Sequence, residues 1–282
     1  MKLIKKMIIP FMILLLAAGY LYWGNNAIET TRYTYSNEGI PQSFDGYTVV
    51  QVSDLHNKEF GRELVDKIEA EDPDIIVVTG DLIDRNRTDL TVAQTFLEQA
   101  NELAPVYFVS GNHEVASGKY PEVQDILDET GTVNLDNASQ VLFEDDEQIS
   151  LHGMADPLTI LYDEVEEEGS GEEVMLNELN RLENESSSDF NLLLSHRAEL
   201  FDLYEESGMD LVFTGHAHGG QIRLPVVGGL YAPTQGFFPE YTLGEYTNGD
   251  TTMIVSRGLG NSIFPLRVFN RPELVVMTLE SE

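Results

Sequence analysis

Residues 74–85 read DIIVVTGDLIDR: an unbroken aliphatic run, then a glycine, then a turn rich in acids. A run with no polar alternation predicts a strand buried on both faces, the pattern of a parallel sheet. The turn that follows falls where open α/β sheets gather ligands, outside the carboxyl ends of the strands. The same design recurs on either side. YTVVQVS (47–53) is a strand that runs into DLH, and PVYFVSG (105–111) is a strand that runs into NHE. Between them, GRELVDKIEAED (61–72) places Leu64, Val65 and Ile68 on one helical face, and LTVAQTFLEQANEL (90–103) forms a second helix. PEVQDILDE (121–129) forms a third, with proline at its start.

The second half is richer in strands. SQVLFED and QISLHGM flank Asp145-Asp146 and predict a hairpin. DFNLLLS (189–195) and MDLVFTG (209–215) are strands with a helix near 198–207 between them, and short strands alternate with Gly/Pro turns beyond 220. βαβ units followed by further strands predict an α/β fold, a four-layer αββα sandwich with two mixed sheets flanked by helices. DEVEEEGSGEE (163–173), with the helix-like VMLNELNRLENE behind it, is expected to be an acidic surface insertion over about 163–188, with a cap over the site as the alternative.

The chain has 282 residues and a formal charge of −33, from 16 basic and 49 acidic side chains. So acidic a protein is repelled by phosphate backbones, which excludes non-specific nucleic-acid binding, and it has no polybasic membrane patch. With no cysteine, disulfides, thiolate metal sites and Cys nucleophiles are excluded. Residues 1–28 are the exception to the acidity. Lys2, Lys5 and Lys6 precede MIIPFMILLLAAGYLYW (7–23), which ends in Tyr20, Tyr22 and Trp23. This predicts an N-terminal transmembrane signal anchor over 1–28, with the lysines cytoplasmic and the rest outside; a cleaved signal peptide leading to secretion is the alternative. A tether leading into a first strand is expected over 29–46, including an edge strand at Tyr33–Tyr35, and one domain over 47–282.

Five of the six histidines, His56, His113, His196, His216 and His218, lie at or just past the end of a predicted strand. The segments are SDLH (53–56), TGDLIDR (79–85), SGNHE (110–114), SHR (195–197) and TGHAHGG (214–220). Each alone is weak. Together they bring imidazoles, carboxylates and one carboxamide to one edge, enough for two metals of the Mn, Fe, Zn, Co or Ni type and unlike an all-oxygen Ca or Mg cage. His152 is read as a core or surface residue and Glu114 as structural. Arg85, Arg197 and Arg223 are candidates to touch a substrate phosphate. Tyr231, Phe237, Phe238 and Tyr241 fit a substrate rim, a membrane-facing lip or packing under a loop.

In this order, D-x-H, G-D-x-x-D, G-N-H-E, H and G-H-x-H, the chain resembles the calcineurin-like metallophosphoesterase family. HAHGGQIRLP (216–225) and SRGLGNSIFPLRVFNRPEL (256–274) look like its membrane-associated bacterial subgroup, which includes cell-wall-associated phosphoesterases and UDP-diacylglucosamine pyrophosphatase relatives. Ala217 and Ala198 depart from that subgroup at positions that are not ligands. The resemblance implies that Asp54, His56 and His218 hold one divalent ion, that Asn112, His196 and His216 hold a second, and that Asp81 bridges them. It implies that His113 faces the leaving group with Asp84 hydrogen-bonded to it. The expected cofactors are two divalent ions, manganese first. The expected activity is hydrolysis of a phosphomonoester, phosphodiester or pyrophosphate in a small-molecule, lipid-linked or envelope substrate. The alternative is an envelope metal-binding or sensor protein without turnover.

Overall fold

The structure is a computed structural model, and it describes residues 2–159, 171–261 and 264–282. The acidic run at 163–170 lies outside the described residues. Two six-stranded sheets face each other. The first contains β1 (Glu29–Asn37), β2 (Thr48–Val52), β3 (Ile75–Thr79), β4 (Val106–Val109), β5 (Val133–Asn134) and, from the C-terminus, β16 (Glu273–Ser281). Its order is β1-β16-β2-β3-β4-β5, parallel throughout except where β16 meets β2. The second contains β6 (Ala138–Glu144), β7 (Glu147–Gly153), β8 (Asn191–Arg197), β9 (Leu211–Gly215), β14 (Gly244–Asn248) and β15 (Thr251–Val255) in the order β14-β15-β9-β8-β7-β6.

Three apolar clusters bind the layers. One seats α2 (Arg62–Glu69), α3 (Leu90–Asn101) and α5 (Tyr120–Thr130) on the outer face of the first sheet through Leu64, Ile68, Leu97 and Leu127. A second fills the space between the sheets with Val77, Val109, Leu192 and Phe213. The third seats α6 (Gly171–Asn184) and α7 (Phe201–Glu206) on the outer face of the second sheet. Every residue of β3 is buried because helices cover one face and the second sheet the other. Local chemistry sets the ends. Asp89 accepts from the Thr91 backbone N–H (3.0 Å) to start α3, and Gly131, at φ 77°, stops α5. The β6–β7 hairpin turns at Asp145-Asp146 as expected, with Asp145 at φ 50°.

Two expectations need correction. The proposed insertion over 163–188 is not a surface excursion in its second half. Val174, Met175, Leu179 and Leu182 of α6 are buried against the second sheet, as a β7-to-β8 crossover requires. The surplus of acid hid which side of that helix is buried. The strand expected to reach Gly111 ends at Val109, and α4 (Asn112–Ala116) begins directly at the polar motif.

The N-terminal helix α1 (Lys2–Asn26) carries the one stretch among the described residues that is long and apolar enough to cross a membrane, Ile8–Asn26. Its end is built into the domain. The Asn25 side chain donates to the Arg267 carbonyl (3.0 Å) and accepts from the Arg267 N–H (2.7 Å), and β1 begins four residues later at Glu29. The edge strand thus spans nine residues, well beyond Tyr33–Tyr35.

Candidate metal centre

The segments singled out in the sequence all leave their strands at one edge of the two sheets and converge. Asp54 and His56 follow β2, Asp81 and Asp84 follow β3, and Asn112 and His113 open α4 beyond β4. His196 is the penultimate residue of β8, and His216 and His218 follow β9. Apart from Asp84, each of these side chains is nearly fully buried.

Two groups of donor atoms form. In the first, the Nε2 atoms of His56 and His218 stand 3.0 Å apart. Asp54 Oδ1 lies 3.2 Å from His218 Nε2, and Asp81 Oδ2 lies 3.5 Å from His56 Nε2. In the second, His196 Nε2 lies 3.3 Å from Asn112 Oδ1 and 3.1 Å from His216 Nδ1. The same Asp81 Oδ2 is 3.3 Å from His196 Nε2, so one carboxylate oxygen faces both groups. Buried imidazole nitrogens that confront one another across 3 Å are the donor set of a cation, and the residues present fit two divalent ions.

The backbone is shaped to aim these atoms. Asp54, His56, Asp81, His216 and His218 all adopt left-handed φ values between 48° and 65°. Such conformations cost about 1–3 kcal/mol each in a non-glycine residue and persist only where the surroundings fix them. The surroundings here are specific. Ser53 Oγ donates to Asp54 Oδ2 (2.6 Å), and the His113 N–H donates to Asp81 Oδ1 (2.7 Å), which turns Oδ2 toward the two groups. His196 Nδ1 donates to the Thr79 carbonyl (2.8 Å), which leaves Nε2 for the site. Glu114 plays the structural part expected of it: its carboxylate accepts from the N–H groups of Gly111 (2.8 Å), Asp81 (2.9 Å) and Ile83 (3.1 Å), tying two ligand loops together. Asn270 Nδ2 donates to the carbonyls of His218 (2.7 Å) and Gln221 (3.0 Å).

Close packing leaves no room behind the ligands. Gly80 has φ 83°, and a Cβ there would sit 2.6 Å from the Gly111 nitrogen and 2.7 Å from His196 Nδ1. Gly80→Ala is expected to destabilise the fold by about 2–4 kcal/mol, from backbone strain and overpacking together. Metal affinity should fall with it. Urea unfolding and metal titration of the variant check this, and wild-type values in both would refute the tight fit.

Burial and charge oppose each other in the titrations. Burial lowers His56 to about 4 and also lowers His216 and His218, so these imidazoles stand neutral as metal binding requires; it lowers His113 as well. Burial would lower His196 too, but the carboxylates of Asp81, Asp54 and Asp156 outweigh it and push it up to about 10. A metal must therefore displace a proton from His196, and affinity should rise with pH toward that value. At pH 7, metal titration of the stripped protein is expected to release at least one proton per chain. The binding enthalpy would then change with the ionisation enthalpy of the buffer; a buffer-independent enthalpy would refute the charge state.

The expected hydrogen bond from Asp84 to His113 is not made. Asp84 Oδ2 stands 3.7 Å from His113 Nδ1 and 3.8 Å from His56 Nδ1, while its Oδ1 accepts from the N–H groups of Asn86 (2.8 Å) and Arg87 (3.0 Å). His113 Nδ1 instead accepts from the Arg85 N–H (3.1 Å), which puts the imidazole proton on Nε2. Arg85 contributes its backbone here, and its side chain is exposed. Arg197 is drawn away from the solvent by a residue the sequence reading missed. Its Nε and Nη2 donate to Asp156 (2.6 and 3.1 Å), and its Nη1 lies 3.1 Å from His216 Nε2. Asp156 follows the end of β7 at the same sheet edge as the other ligand segments, and that position was its available signal. Arg223 donates to the Gly219 carbonyl (2.8 Å) and Thr242 Oγ1 (3.1 Å). Arg267, fully buried and donating to the Arg257 carbonyl (2.9 Å), had no local signal. His152 is a satisfied core residue, paired with Ser139 Oγ (2.7 Å) and Asn191 Oδ1 (3.1 Å).

The sequence profile of the calcineurin-like phosphoesterases matches residues 47–220, which contain every residue of both donor groups. The chain belongs to the calcineurin-like phosphoesterase family. This metallophosphoesterase, a phosphoric ester hydrolase with a buried dinuclear His/Asp metal site, is 31% identical to the metallophosphoesterase YkuE of Bacillus subtilis over 92% of this chain and 88% of the relative. It is 27% identical to the phosphodiesterase YaeI of Escherichia coli, over 73% of this chain and 70% of that one. A solved protein of Thermus thermophilus shares the fold, with a TM-score of 0.50 at 13% identity over 76% of this chain and 90% of the other.

Proposed function

We propose that the protein is a membrane-anchored phosphoesterase facing away from the cytoplasm, which cleaves phosphodiesters first among phosphomonoesters, diesters and pyrophosphates. The observation that carries the reading is Asp81 Oδ2, one buried oxygen within 3.5 Å of an imidazole in each donor group. Asp54, His56 and His218 hold one ion in this reading, Asn112, His196 and His216 the other, and Asp81 both. Two divalent ions in such a site supply an activated water and neutralise phosphoryl charge. Imidazole, carboxylate and carboxamide donors suit manganese, with iron, zinc, cobalt or nickel as competitors. His113, its proton on Nε2, donates to the leaving oxygen. Asp84, lying between the Nδ1 atoms of His56 and His113, acts on both through its charge. Diesters are placed first by the likeness to the E. coli phosphodiesterase. The anchor is supported by the apolar helix and by Asn25, whose bonds to Arg267 tie the end of that helix to the folded domain. The subgroup of cell-wall-associated and UDP-diacylglucosamine enzymes remains part of this proposal, on the likeness of 216–225 and 256–274.

The test is hydrolysis of bis-p-nitrophenyl phosphate and p-nitrophenyl phosphate by the full chain in detergent. The protein is stripped of metal and then given Mn²⁺, Fe²⁺, Zn²⁺, Co²⁺ or Ni²⁺. Turnover restored by metal, greater for the diester, is expected. Two ions bound per chain with neither ester cleaved would instead support an envelope metal-binding or sensor protein.

A further inference from the structure

The acids of this chain are unevenly spread. Three long segments hold no Asp or Glu: residues 1–28, 211–239 and 251–272. The fold brings all three together. Phe269 packs its ring on Tyr20 of α1 (5.6 Å between centroids), and the Arg271 guanidinium lies 4.6 Å over the Trp23 ring. One residue before Phe269, Val268 bridges to Ile222, and its carbonyl accepts from the Arg223 N–H (3.0 Å). From there the chain folds into two small hairpins, Arg223–Leu224 with Gly228–Gly229 and Tyr231–Ala232 with Gly236–Phe237. The Phe238 N–H closes them onto the Leu230 carbonyl (3.0 Å). A continuous ladder of contacts thus runs from the last turns of the apolar helix to the hairpins, and the hairpins grow directly out of the loop that carries His218.

The hairpins present apolar side chains to the outside. Phe237 is 78% exposed and Phe238 69%, Val226 and Val227 crown the first hairpin, and Phe264 and Phe269 are exposed beside them. Exposed apolar side chains gathered in this way mark an interaction site, with Glu199, which accepts from Thr234 Oγ1, and Glu240 at its edge. Its occupant follows from its neighbours. Tyr20, Tyr22 and Trp23 stand at the end of the span, at the depth of an interfacial aromatic belt, and the Phe269 ring is fixed to one of them. A surface locked to that depth meets headgroups and upper acyl chains before it meets another protein. The absence of acids within these three segments lessens the repulsion that the rest of this −33 chain would feel there.

We propose that this lip, formed by residues 224–238 and 264–269, rests in the membrane surface beside α1, a docking that turns the His218 edge of the metal site toward the bilayer. The inference rests on the reading of α1 as an anchor, and the experiment separates the two.

Full-length protein is reconstituted into phosphatidylcholine vesicles with or without dibrominated acyl chains, which quench nearby indoles. Native Trp23, the sole tryptophan, reports on the anchor. In a Trp23→Phe background, Phe238→Trp reports on the lip and Phe143→Trp on the opposite end of the domain. Phe143 is 68% exposed, so it matches Phe238 in solvent access, but it lines a hollow with Asp74, at the end of β3 remote from Asp81. Bromolipid is expected to quench the indoles at 23 and 238 and to leave that at 143 unchanged. Quenching at 23 without quenching at 238 overturns the lip and leaves the anchor standing. Quenching at neither overturns both, and equal quenching at 143 and 238 removes the case for a defined docking face.

Discussion

Asp81→Ala is expected to leave the protein with at most one ion per chain and to lower turnover of bis-p-nitrophenyl phosphate by more than about 10³-fold, since a two-metal site loses its shared clamp. Asp81 Oδ2 reaches both donor groups, so its removal cannot be confined to one of them. The substitution also deletes the acceptor of the His113 N–H, and the alanine variant risks local collapse for that reason. Asp81→Asn retains the volume and one oxygen acceptor. It is expected to fold like the wild type by thermal unfolding and still to fail in metal retention measured by elemental analysis. Two ions retained per chain in the folded asparagine variant would end the bridging assignment.

His113→Ala should separate chemistry from metal binding. His113 Nδ1 accepts the Arg85 N–H, and burial lowers the pKa of the ring, so at neutral pH it is an uncharged Nε2–H donor. Its contribution is then a hydrogen bond to the leaving oxygen as charge develops there, worth about 10²–10³-fold in turnover. Metal content should be unchanged. The loss should be larger for an alkyl leaving group, whose oxygen needs the donor, than for p-nitrophenolate, which leaves readily without it. Because the folded pKa is depressed, the neutral donor persists as pH falls below the ordinary imidazole value, and the contribution of His113 should be flat through neutrality. A variant that loses metal, or one that loses equal rate with both leaving groups, would contradict this role.

The difference between the expected and observed surroundings of His113 shows where sequence reading stops. Gly-Asp-x-x-Asp supplied a carboxylate at the right distance along the chain, but the competitor that takes Nδ1 is a backbone N–H with no sequence signature. Arg197 likewise stood in a ligand segment and looked available to substrate, yet Asp156, 41 residues earlier, binds two of its nitrogens in the interior. α6 was legible in its apolar spacing, but the acids around it concealed which side of the helix was buried. The lip was visible as aromatics at 231–241 and as a gap in the acids. The Val268–Ile222 bridge, the Phe269–Tyr20 and Arg271–Trp23 contacts and the Asn25–Arg267 bonds, which join that gap to the N-terminal helix, were not legible.

The sequence by itself determined the alternation of buried strands and amphipathic helices, the apolar N-terminal span, and the fact that chemistry-bearing residues follow strands. Each is a local pattern, set by side-chain period and turn chemistry within a dozen residues. The tertiary structure alone decided which oxygen of Asp81 faces both donor groups, which nitrogen of His196 is turned toward them and why five residues of the site hold left-handed backbones. Those outcomes come from contacts between segments as far apart as Thr79 and His196. Their energy exists only once the two sheets have packed and water has left the space between them.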